Sequence, residues 1–126
     1  MLQVLYAESP RDLELSGTRP GLLMLGRLLR GRSGNCDLSE NRQPAPYERS
    51  LAQIFFREDS GSDTVSILTE GQVLQIRGGR VPLDLLAGNI EGFASESEPS
   101  DHLHLDFPAH DYISPESDPL VVAFLA

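Results

Sequence analysis

Two stretches decide how the chain reads: "DLELSGTRPGLLML", residues 12–25, and "VLQIRGGRVPLDLL", residues 73–86. Each runs from alternating apolar and polar residues, through a glycine and an arginine, into a proline and a leucine-rich segment. Alternation puts every second side chain on one face of a strand, whereas apolar residues at i, i+3 and i+7 share one face of a helix. Both stretches therefore predict a strand that turns into a helix, with one residue of slippage between them. In the first, Thr18 is placed to cap, Pro20 sits in the first turn, Leu22, Leu25 and Leu29 form the stripe, and Gly31 closes it. In the second, Leu83, Leu86, Ala87, Ile90 and Phe93 form the stripe, and Asp84 suits the positive helix start.

Working outward, strands are predicted at 2–8 and 12–16, joined by the turn "SPR", and at 50–58 with Ala52, Ile54 and Phe56 on one face. "TVSILTEGQVLQIRGG", residues 64–79, reads as a hairpin turning at Glu70-Gly71. Two last strands, 102–107 and 120–126, are joined by a proline-rich loop, and residues 32–49 read as a loop throughout. These elements predict an α+β domain over residues 1–126. It is a single two-layer unit with a mostly antiparallel sheet of about seven strands and two helices, near 19–30 and 81–94, on one face. A weak strand–strand–helix repeat relates 1–57 to 63–126. Leu83, Leu86, Ile90, Leu103, Leu105 and Val121 are expected in the core.

A chain of 126 residues can bury one ordinary core. Its one cysteine, Cys36, cannot form an internal disulfide. The start "MLQVLYAESPRDLEL" has no basic leader, and runs such as "LLML" fall far short of the ~20 apolar residues that span a bilayer. A cytoplasmic location is the expectation. Charge is unevenly placed. Residues 1–80 hold ten arginines and ten acidic residues; residues 81–126 hold nine acidic residues and no arginine. Nucleic acid and anionic membrane both require the opposite sign, so neither is an expected partner. A protein with a basic face is favoured.

All three histidines fall within "DHLHLDFPAHDY", residues 101–112. On a strand, Leu103, Leu105 and Phe107 would face the core while His102, His104 and Asp106 face out. A His-x-His pair can clamp a metal. The run is also similar to the His-x-His-x-Asp-His motif of dinuclear zinc hydrolases, but Phe107 stands in the sixth place and the chain lacks the distant ligands such enzymes need. The plainer reading is the polar side of a half-buried strand, with no metal and no cofactor. No G-x-S-x-G elbow occurs, and "GTRPG" and "RGGR" lack the phosphate-loop spacing and its lysine. No catalytic constellation is formed, and an enzyme is not expected.

The block "LLAGNIEGFASESEPSDHLHLDFPAHDYISPESDPLVV", residues 85–122, resembles the Immunity protein 32 family of bacterial polymorphic-toxin systems. The shared signature is a helix ending in an N-I-x-x-F-like segment, then "DHLHLDF", a histidine–tyrosine loop, and "SPESDPLVV". The resemblance implies a small cytoplasmic antidote that binds and neutralises a cognate toxin. Together with the charge pattern, it makes the region after the second helix the expected binding face. Glu96, Glu98, Asp101, Asp106, Asp111, Glu116 and Asp118 would supply charge, and His102, His104 and His110 polar contacts. Tyr112 would be an aromatic anchor. A different class of function, a small metal- or ligand-binding protein centred on His102, His104 and His110, is the alternative.

Overall fold

A computed structural model describes residues 1–125. The elements follow in the order β1 (Leu2–Glu8), β2 (Arg11–Gly17), α1 (Arg19–Leu29), β3 (Ser33–Asp37), β4 (Arg49–Ser50), β5 (Gln53–Glu58), β6 (Val65–Glu70), β7 (Val73–Gly78), α2 (Arg80–Glu96), β8 (His102–Leu105) and β9 (Leu120–Phe124). The α+β class holds, but the expected single sheet of about seven strands gives way to two. One has the order β4-β1-β2-β9-β8 and the other β3-β5-β7-β6. The expected loop at 32–49 supplies the two extra strands. "SGNCD" has no β-branched or aromatic residue, so its strand state is imposed by its antiparallel register against β5.

The succession β1β2α1β3β5 recurs as β6β7α2β8β9, and the two units exchange hairpins. β2 pairs in parallel with β9, and β5 with β7. Leu2 faces Gly17 in one hairpin and Val65 faces Gly78 in the other. A Cβ at Gly17 would lie 2.7 Å from Leu2 Cδ2, and one at Gly78 would lie 2.8 Å from Val65 Cγ2. Each glycine thus permits a close approach that no other residue allows.

Two residues beyond these glycines stand Arg19 and Arg80, the first residue of each helix. Arg19 donates to the carbonyls of Ala94 at 2.8 Å and Ser97 at 2.6 Å, at the end of α2. Arg80 donates to the carbonyls of Leu29 at 2.6 Å and Gly31 at 2.7 Å, at the end of α1. The last carbonyls of a helix have no partner within it and carry partial negative charge. The two helices therefore run antiparallel, each supplying the cation that caps the other.

Thr18 caps α1 as expected, its hydroxyl accepting from the Gly21 amide at 3.1 Å. Leu22, Leu25 and Leu29 of α1 and Leu83, Leu86, Ala87 and Ile90 of α2 are buried. The helix pair reaches both sheets: α1 touches β2 and β3, while α2 touches β6 and β7. Phe93 of α2 also stacks on Phe124 of β9 at 4.7 Å. Leu105 is buried and Leu103 is partly buried against the core. Two expectations fail. Val121 is only half-buried, because Leu13 pairs with Leu120 and Leu15 with Val122, which turns Val121 outward. Phe107 is 47% exposed, because β8 stops at Leu105 and the alternation ends there. No described helix is long and apolar enough to cross a membrane.

Candidate protein-binding surface

β8 is an edge strand, paired only with β9. Its exposed side chains, His102 and His104, stand opposite Ala123 and Val121. Across the next two ladders, Val121 faces Glu14 and Glu14 faces Leu5, so Leu5, Glu14, Val121 and His104 form one row on the outer face. Gln3, Ser16, Ala123 and His102 form the next row. Glu14 and Asp12, which belong to the charge-balanced first 80 residues, thereby join the face of the histidines. Alternation within β2 marks both as outward, but nothing local shows which strand β2 will flank. The Glu14 carboxylate accepts from the Ser16 hydroxyl and the Tyr47 phenol, both at 3.1 Å. Burial, and then the Glu14 charge, push the Tyr47 phenol up to about 12.

On the other side of β8 lies an open groove of about 470 Å³, running between the strand and α2. Gly88, Asn89, Gly92 and Glu96 of α2 line one wall, with Asp101 and His102 opposite. The groove exists because two helix positions carry no side chain. A Cβ at Gly92 would meet nothing within 4 Å, and one at Gly88 only the Arg30 Nη2 at 3.8 Å.

Three of the nine acidic residues after position 80 are neutralised. Asp84 pairs with Arg80 and Arg30, Glu91 with Arg30 at 2.6 Å, and Asp118 with Arg11 at 3.3 Å. The Arg30 guanidinium holds the Glu91 carboxyl below its usual range. Glu96, Glu98, Asp101, Asp106, Asp111 and Glu116 form no ion pair among the described residues. Five of these six are exposed and Asp106 is half-buried.

Two residues expected at the binding face lie inside instead. Tyr112 is 9% exposed and belongs to the core. Its hydroxyl accepts from the Asn89 amide at 2.6 Å, and burial raises its pKa. It fastens the β8–β9 loop to α2 and offers no free anchor. Asp118 is 2% exposed; its amide donates to the Ile67 carbonyl at 2.9 Å, which ties the same loop to β6. Both replacements have one cause, the loop folding back over β6. His110 is half-buried edge-on to Tyr112, with ring centroids 5.8 Å apart, while His102 and His104 project from β8. Among the described residues no group of three or more His, Cys, Asp or Glu side chains is placed to hold a metal ion.

The groove, β8 and the loop behind them fall in the segment that comparison with known families singles out. Residues 73–125 match the Immunity protein 32 family. The Immunity protein 32 match begins at β7 and takes in α2, β8 and β9, so it spans both walls of the groove. It bears out the resemblance read from residues 85–122 and supports an immunity role. Neither the comparison with curated proteins nor that with solved structures found a match.

Proposed function

We propose that this chain is the cytoplasmic immunity protein of a bacterial toxin system, binding a cognate toxin and holding it inactive by occupying its surface. The observation that carries the reading is the Immunity protein 32 match over residues 73–125. The six unpaired carboxylates lie within that span, and they favour a toxin with a basic face. No bond need be made or broken on this chain. Its uncompensated charge raises the rate of encounter, and the contacts formed afterwards set the lifetime of the complex. Nucleic acid and membrane have no part in this role.

The test is co-expression with the toxin domain encoded beside the gene. The expected result is that cells survive the toxin only when this chain is present, and that the two proteins purify together. Cells killed equally with and without this chain, and no co-purification, would end the proposal.

A further inference from the structure

The two units of the fold leave the same two edges differently treated. β4 pairs along β1, and the segment after β8 runs along β6, where the Ser114 amide donates to the Val65 carbonyl at 2.8 Å. Apart from the two-residue β4, the edge strands with no further chain paired along them among the described residues are β3 in one sheet and β8 in the other. An uncovered edge is a row of unpaired amides and carbonyls, which proteins normally blunt.

Over β3 the space is filled, by the adjoining helix and by β5. Leu28 of α1 reaches within 3.2 Å of where a Gly34 Cβ would stand, and Phe56 within 2.8 Å. The equivalent position in α2 is Asn89, which is drawn away to Tyr112. The equivalents of Arg27 and Gly31 are Gly88 and Gly92, so the space over β8 stays open. Glu96 and Asp101 rim that groove, and Asp106 follows the end of β8; none of the three has a cation partner among the described residues.

We propose that an extended, basic segment of the cognate toxin pairs with β8 as a sixth strand of the first sheet, lying in the groove under Gly88 and Gly92. This rests on the immunity reading and specifies its contact. From Asp101 to Asp106 an extended chain spans roughly 17 Å, which suits a segment of about five residues. Main-chain hydrogen bonds to β8 supply binding, and side chains alternating between groove and outer face supply selectivity. Basic side chains are recognised at the Glu96–Asp101 end and at Asp106, while His104 borders the opposite face.

The experiment is hydrogen exchange of the full chain, alone and with the purified toxin domain encoded beside it, combined with the variant Gly92→Leu. Gly92 is helical and faces open space, so Gly92→Leu should melt no lower than the parent. In the complex, the outward amides of residues 102–105 should slow by ~10-fold or more, with those of 33–37 unchanged. Gly92→Leu should weaken toxin binding by ~10-fold or more. A tight complex that leaves β8 exchange unchanged, protects β3 instead, or ignores Gly92→Leu would refute the added strand while the immunity role stands. Absence of any complex would overturn the immunity role itself, and this contact with it.

Discussion

Tyr47 shows how one side chain makes stability depend on pH. Its phenol, half-buried beside Glu14, is pushed from 10.0 up to about 12. Between those values the folded chain keeps a proton that the unfolded chain has lost, so stability falls as pH rises. The contribution is whole below pH 10 and is lost as pH climbs through about 12. Tyr47→Phe should cost ~1 kcal/mol at neutral pH through the lost hydrogen bond to Glu14. Above pH 10 it should lose stability less steeply than the parent; urea unfolding on either side of that pH measures both. In the core, Leu86→Ala should cost ~2–5 kcal/mol by leaving a cavity. His104→Ala on the exposed face should cost less than ~0.5 kcal/mol. Equal losses at the two positions would contradict the register of β8.

Between elements, the arginines at the helix starts exert more influence than their exposure suggests. Arg80 serves two carbonyls of α1 and also pairs with Glu58 and Asp84. Arg80→Met should cost ~1–3 kcal/mol, since it leaves the end of the other helix unpaired. The glycines of the two helices should respond in opposite directions. Gly26 lies against the Glu91 side chain, so Gly26→Ala should cost ~1 kcal/mol by forcing that side chain and its Arg30 pair to move. Gly92 faces open space, so Gly92→Ala should gain up to ~1 kcal/mol of helix stability. Thermal unfolding of the two variants distinguishes them. Elements with strong periodicity were legible from residues alone: β1 occupies the expected 2–8, and the hairpin turns at Gly71. β3 was not legible, because an edge strand of Ser, Gly, Asn, Cys and Asp carries no local signal and owes its form to β5.

For the molecule as a whole, electrostatics follow from where the arginines end up. With six carboxylates after position 80 left without an ion pair among the described residues, association with a basic toxin should be fast at low salt. It should slow markedly once the screening length falls to ~8 Å, near 0.15 M salt. Neutralising Glu96, Asp101 and Asp106 together to their amides should lower the on-rate and flatten its salt dependence, as stopped-flow mixing would show. The sequence by itself determined the two helices and the Thr18 cap of the first, most strands, the segregation of charge and the likeness to an immunity family. These follow from local periodicity and composition, which act within a few residues. Only the tertiary structure decided that the sheet is two sheets, that Glu14 shares a face with His104, and that Tyr112 and Asp118 are held inside. The reason is that alternation tells which side of a strand is buried but not which strand lies beside it. Leu13 meets Leu120, and Asp118 meets Arg11, only because two distant hairpins pack around one pair of helices.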